Sequence, residues 1–154
     1  MKIAVCIKRV PDMDVRFKIA PSGKAVDETG LKFDISDFDG YAVEAALQIK
    51  EKLNAGEVVV ISLGPDVVQE TLRKAMSMGA DRAVQLKADA VPADSYAIAT
   101  ALAAELKDGA YDLIMFGRMS IDTAHGATGA MTAELLGLPV VNAISKLEFD
   151  GRTA

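Results

Sequence analysis

With 154 residues, 51% of them hydrophobic, the chain is large enough for one folded domain with a proper core and too apolar to be disordered. A net charge of −5 without any basic run argues against nucleic acid, whose phosphates demand clustered Lys and Arg. The lone cysteine, Cys6, cannot close an internal disulfide, and the apolar start meets a charge too soon for a signal peptide or a membrane span, so a reducing, cytoplasmic setting without membrane insertion is expected.

Lys2 to Lys8 is an apolar, β-branched run that predicts the first buried strand. Pro11, with no N–H to give, breaks the chain's extended course after Lys8. Val15 to Ile19 and Leu31 to Ile35 alternate apolar and polar residues, the pattern of strands with one wet face. Turn residues at Pro21-Ser22-Gly23 and Thr29-Gly30 separate them, so residues 13–36 read as a small β excursion outside the main sheet. Ala42, Ala45, Ala46, Ile49 and Leu53 have helical spacing and predict a helix over roughly 39–53, stopped by Asn54-Ala55-Gly56.

Glu57 to Leu63 predicts the second buried strand, and Gly64-Pro65-Asp66 turns the chain. Val68, Leu72, Ala75 and Met76 then fall on one face of a second helix that Gly79 ends. Ala83 to Leu86 is a third strand, shorter and more polar, as expected nearer a sheet edge. Pro92-Ala93-Asp94 caps a third helix with a face of Ile98, Ala101, Leu102 and Leu106, and Gly109 ends it. The stretch 112–139 comes next, with a fourth strand, Leu113 to Phe116, then a polar loop from Arg118 to His125, then Gly126 and Gly129. Ala127, Met131 and Leu135, four apart, put an apolar stripe on a fourth helix. Val140 to Phe149 predicts a fifth strand that enters a hairpin at Asp150-Gly151. The partner strand of that hairpin never arrives, which implies a longer parent chain or an edge covered by another chain.

Alternating strands and helices predict an α/β three-layer sandwich: a five-stranded, mainly parallel sheet with helices on both faces. In the order 3-2-1-4-5, strands one and four are neighbours whose helices leave on opposite faces, opening a crevice at their carboxyl ends. The loops after Lys8, Leu63 and Gly117 meet there. A glycine-bearing helix start leaves N–H groups free at the positive end of the helix dipole, where a phosphate fits. The alternative is a tight turn capped by Asp122 or Thr123.

Other residues carry two readings each. Lys8 and Arg9 neutralise a phosphate or form a solvated pair. His125, the only histidine, touches a phosphate or ribose or lies at the surface, and by itself forms no metal pair or triad. Asp122 contacts a ribose or a phosphate-bound water or, by a small preference, caps a helix. Cys6 reads as a buried inert thiol or as the place of a backbone contact to the nucleotide. No nucleophile–base pair stands out, which suits a protein that positions a cofactor and leaves the chemistry to it.

Several segments together resemble one family, the beta subunit of electron transfer flavoprotein. They are Val5 to Asp12 (VCIKRVPD), Asp37-Phe38-Asp39 followed by Ala42-Val43-Glu44-Ala45-Ala46, Ser62-Leu63-Gly64-Pro65, Gln69 to Arg73, and Met78 to Ala83. Gly117-Arg118 through Ile121-Asp122 to Thr128-Gly129, Met131-Thr132-Ala133 and Leu136-Gly137 complete the set. The resemblance implies a Rossmann-like fold of the adenine nucleotide alpha hydrolase-like kind. It also implies an electron-carrier subunit, not an enzyme, that binds AMP or FAD. An alpha subunit holds most of the redox FAD, and flavin dehydrogenases supply the electrons.

The nucleotide contacts that the resemblance implies fall at Cys6, at Ser36, Asp37, Phe38 and Asp39, and at Leu63. They continue along Gly117, Arg118, Met119, Ile121, Asp122, Thr123, His125, Gly126, Ala127 and Thr128. The family's usual Gln and Ala after the basic residue are Met119 and Ser120 here, and its Asp/Asn/Gln-rich run is Thr123 to Ala127. Fewer side chains remain for ribose and phosphate, leaving AMP, FAD or an empty site open. The family is longer, with a C-terminal arm that embraces the alpha chain. Two rivals stand beside this reading: a free-standing homodimeric nucleotide sensor paired through the fifth strand, and an adenylating enzyme.

Overall fold

The computed structural model describes residues 1–149. Four parallel strands form the central sheet: β1 (Lys2–Cys6), β4 (Glu57–Gly64), β5 (Arg82–Lys87) and β6 (Leu113–Phe116), in the order β5-β4-β1-β6. Val5 lies opposite Val60 on one side and Met115 on the other, so β1 is fully enclosed. Parallel strands covered on both faces need apolar residues at every position, which is why β1 and β4 read as continuous runs rather than alternations.

Helices α1 (Asp37–Leu53) and α2 (Val68–Met78) cover one face, where Ile3, Val5, Val58 and Val60 meet Val43, Ala46, Leu47, Leu72 and Ala75. On the other face Ala4, Cys6, Val59 and Ile61 meet Leu102 and Leu106 of α3 (Ser95–Lys107), with Leu136 of α4 (Thr128–Leu136) packed against them. Each enclosed Val or Ile contributes about 1.5–3 kcal/mol relative to an exposed one. The expected third helix is capped as predicted, Asp94 accepting from the backbone N–H of Tyr96. Gly79 ends α2 and β5 lies at the sheet edge, also as expected.

The fifth strand does not form among the described residues. Pro139 has no N–H, and Ala143 adopts φ +55°, which interrupts an extended run. Val140, Val141 and Ile144 are exposed, and only Leu147 and Phe149 return to pack beside the α1–α2 core. The sheet therefore has four described strands in place of five. The Asp150-Gly151 hairpin lies outside the described residues.

The β excursion is also rearranged. Arg9 to Pro11 forms a short strand, β2 (Arg9–Pro11), antiparallel to β3 (Phe33–Ile35), instead of a simple break. Pro11 is tolerated because it ends a two-stranded ribbon. Among the described residues Val15 to Ile19 forms no strand: Ile19 bridges to Val26, and Phe17 and Ile19 stay exposed. On α2, Met76 lies at the surface and Thr71 takes the expected core place. On α4, Ala127 and Leu135 of the anticipated stripe are exposed and Thr132 is the buried residue, its hydroxyl donating to the Thr128 carbonyl.

Candidate functional site

The site lies where β1, β4 and β6 end. Past β1 the chain turns into the β2–β3 ribbon and returns as α1 on one face, while past β6 it loops into α4 on the other. This divergence opens the crevice that the strand order predicts.

Asp39 ties its floor together. It sits in the first turn of α1, 7% exposed, with Oδ2 accepting the Lys8 backbone N–H at 2.8 Å and Oδ1 accepting the Gly117 N–H at 3.0 Å. One carboxylate thus clamps the segments that leave β1 and β6. A Cβ on Gly117 would collide with Asp39 Oδ1 and stand 2.6 Å from its backbone nitrogen, so the clamp requires glycine there. Burial, only partly offset by the Lys8 and Gly117 N–H groups and the Lys8 charge, pushes the Asp39 carboxyl up from 3.8 to about 7. Ser36, fully buried, adds a second tie: its N–H donates to the Lys8 carbonyl at 3.0 Å and its Oγ accepts the Ile121 N–H at 3.3 Å.

The Lys8 side chain reaches across to the loop after β6. Its Nζ lies 2.8 Å from both Asp122 oxygens, 3.3 Å from Thr123 Oγ1 and 3.4 Å from Ser120 Oγ. Burial pushes the Asp122 carboxyl up, but the Lys8 hydrogen bond and charge, with Ser120 and Thr123, bring it below its ordinary value. Asp122 is therefore the partner of Lys8 and does not cap α4, which begins six residues later at Thr128. The residue before it, Ala127, offers no side-chain cap, so the first turn of α4 keeps its N–H groups for whatever lies in front of it.

Two connected spaces result. An inner cavity of about 90 Å³ is lined by Cys6, Lys8, Asp39, Leu63, Gly117, Met119, His125, Gly126 and Thr128, all expected from the sequence. It shares Lys8, Leu63, Val91, Ile98 and His125 with an outer cleft of about 780 Å³, which Asp122 and Thr123 also line. Ser36, Asp37, Phe38, Arg118, Ile121 and Ala127 line neither. Ser36 and Ile121 support the floor, Arg118 is exposed with Nη1 beside Gly126, and Asp37 and Ala127 are exposed helix-start residues. Cys6 is buried, and burial, followed by the Asp39 charge, raises its thiol pKa, as expected of an inert thiol.

Sequence reasoning missed one wall. Val91, Ile98, Leu102 and Phe116 line the inner cavity, and the loop from Asp89 to Ala93 lines the cleft. The signal was present, because this loop comes after β5 on the same carboxyl edge, and Ile98 belongs to the cavity as well as to the helix face. Gly129 also lines the cavity, but its missing Cβ serves packing: the Phe116 ring would lie 3.2 Å from it.

The described residues hold no group of three or more His, Cys, Asp or Glu placed for a metal ion, and no helix long and apolar enough to cross a membrane. The electron transfer flavoprotein domain family matches residues 24–154. The chain is 38% identical over 151 residues to the electron transfer flavoprotein subunit beta of Bradyrhizobium diazoefficiens, covering 98% of this chain and 60% of that protein. It is 37% identical over 154 residues to that of Syntrophomonas wolfei, covering 100% of this chain and 60% of that one. With the human subunit beta the identity is 33% over 154 residues, at 98% and 60% coverage. The chain thus spans about 60% of the length of these relatives. A match of this extent, on a parallel α/β sheet with the expected loops gathered at its carboxyl edge, establishes that the chain belongs to the electron transfer flavoprotein domain family.

Proposed function

We propose that the crevice holds an adenine nucleotide, AMP or the adenylate part of FAD, and that the chain works with an alpha-type subunit. In this reading the pair carries electrons from flavin dehydrogenases to an acceptor. The observation that carries the nucleotide reading is the uncapped start of α4 facing a cavity at the carboxyl ends of β1 and β6. The residues present fit such a group. Ligand pockets occupy about 300–1,000 Å³ with mostly apolar walls and a few placed polar groups. The cleft has about 780 Å³, apolar walls from Leu63, Val91 and Ile98, and polar groups at Lys8, Thr123 and His125.

Free N–H groups of Gly126, Thr128 and Gly129 would take a phosphate, and Lys8 would share its charge between that phosphate and Asp122. Bound flavin supplies the redox chemistry of the pair, while this chain's residues bind, orient and exclude water. The experiment is mass spectrometry of small molecules released from the purified, denatured protein, expressed with and without an alpha-type subunit. AMP or FAD in stoichiometric amount supports the reading. No nucleotide from either preparation contradicts it, and a nucleotide-loaded homodimer that ignores the alpha subunit favours the sensor alternative.

A further inference from the structure

The inner cavity and its rim bring together Lys8, Asp39 and Asp122, with the Arg118 guanidinium beside Gly126. Lys8 contributes one positive charge, Asp39 on the floor and Asp122 at the rim one negative each, and the Lys8 ammonium is already hydrogen-bonded to Asp122. Asp39 cannot turn away, because both its oxygens accept backbone N–H groups from opposite walls of the crevice. An anionic ligand therefore meets a fixed, buried carboxylate. We propose that Asp39 acts as a proton-coupled gate on this site, taking up a proton when an anionic nucleotide enters and thereby linking nucleotide affinity to pH.

This rests on the nucleotide reading above and assigns a role within it. The ionised and neutral forms of Asp39 have comparable weight near neutrality, because burial has moved its carboxyl to about 7. A second negative charge in the same cavity raises that value further, since like charges disfavour ionisation. The groups facing Asp39 are the Lys8 ammonium and the Cys6 thiol past and within β1, and Asp122 on the loop after β6, with His125 also lining the cavity. The Lys8 ammonium has no site for another proton, and the Asp122 carboxyl is held below its ordinary value, so neither is the group that takes it. By linkage, a group whose pKa rises on binding makes affinity fall as pH climbs above its value in the free protein.

The test is calorimetric titration with the methyl ester of AMP, a phosphodiester that has no proton to exchange near neutrality. Running it in two buffers of different ionisation enthalpy counts the protons taken up. The expected result is net uptake approaching one proton above about pH 7, with affinity falling up to about tenfold per pH unit there. Uncharged adenosine is expected to bind without uptake. In Asp39→Asn the affinity profile is flat and the uptake is absent, whatever the absolute affinity, which separates Asp39 from His125. Should that variant not fold, the ¹³C shift of the Asp39 carboxyl in the unaltered protein reads the same event, its titration midpoint moving up when the diester is added. Binding of the diester without uptake, or an unmoved Asp39 midpoint, overturns the gate and leaves the nucleotide site standing. Failure of AMP, its diester and adenosine alike to bind overturns the nucleotide reading and the gate with it.

Discussion

Lys8 and Asp122 form a two-pronged ion pair, the ammonium nitrogen 2.8 Å from each carboxylate oxygen, between a residue just past β1 and the loop after β6. The pair stands at the rim of the crevice, while Asp39 lies on its floor. Its side chains are 29% and 21% exposed, so solvent screens it only in part.

Removing the cation leaves Asp122 half-buried and unmatched. Lys8→Met is expected to lower stability by about 1 kcal/mol, the modest end for a pair that water still reaches, and to weaken AMP binding. Urea titration reads the first effect and calorimetry the second. Because the folded Asp122 carboxyl lies below its ordinary value, its stabilisation is present above the unfolded pKa and lost as pH falls through the folded one. The gap between the unaltered protein and Lys8→Met is therefore expected to shrink below about pH 4.

Asp39 has the opposite sign. Its carboxyl is raised from 3.8 to about 7, so the folded state holds the proton more tightly than the unfolded state. The stability linked to that proton is complete below about pH 4 and is lost as pH rises through about 7. Urea midpoints of the nucleotide-free protein are expected to fall across this window relative to those of Asp39→Asn. Equal slopes in the two proteins would contradict the assignment. Asp39→Ala, which leaves two backbone N–H groups without their acceptor, is expected to cost about 1–3 kcal/mol for each that water cannot reach.

The glycines of the site divide into structural and permissive ones. At Gly117 an added Cβ meets backbone atoms of Phe38 and Asp39 within 2.7 Å, which cannot move without shifting the start of α1. Gly117→Ala is expected to destabilise by about 1–3 kcal/mol. At Gly126 the nearest atom, 2.6 Å away, is the end of the flexible Arg118 side chain. Gly126→Val is expected to unfold within a few degrees of the parent by calorimetry yet lose nucleotide, since the branched side chain stands in front of the α4 N–H groups. Unchanged nucleotide content in that variant would contradict the loop's role.

Cys6 offers a check on burial. It is 5% exposed, and burial, then the charge of Asp39, raises its thiol pKa. Iodoacetamide is expected to label it only as fast as the protein opens, and readily in denaturant. Rapid labelling of the native protein would show that the inner cavity is open to the β1 backbone.

The legible parts of the sequence were those whose burial is local and complete. The runs at β1 and β4 are apolar almost throughout, so they could only be enclosed strands, and Asp94 and Gly79 marked helix ends by their own chemistry. The carboxyl-edge crevice emerged from strand order together with Gly117 and Gly126. The failures needed a partner that pattern alone does not specify. Val15 to Ile19 alternates correctly, but among the described residues it gains only the Ile19–Val26 bridge. Val140 to Phe149 is apolar enough for a strand, yet Pro139 and the left-handed Ala143 deflect it from β6. Asp122 looked like a helix cap because Lys8, its actual partner, lies 114 positions away in the chain. The Asp89–Ala93 wall was hidden because its residues carry no motif and meet the site only through the fold.

The central claim is that an adenine nucleotide occupies the carboxyl edge between β1, β6 and α4. Titration of ¹⁵N-labelled protein with AMP, monitored by amide chemical shifts, tests it most directly. Saturable shifts are expected, largest at Lys8, Gly117, Gly126, Thr128 and Gly129, with little change along α2. Shifts that do not saturate, or that gather away from these amides, would contradict it.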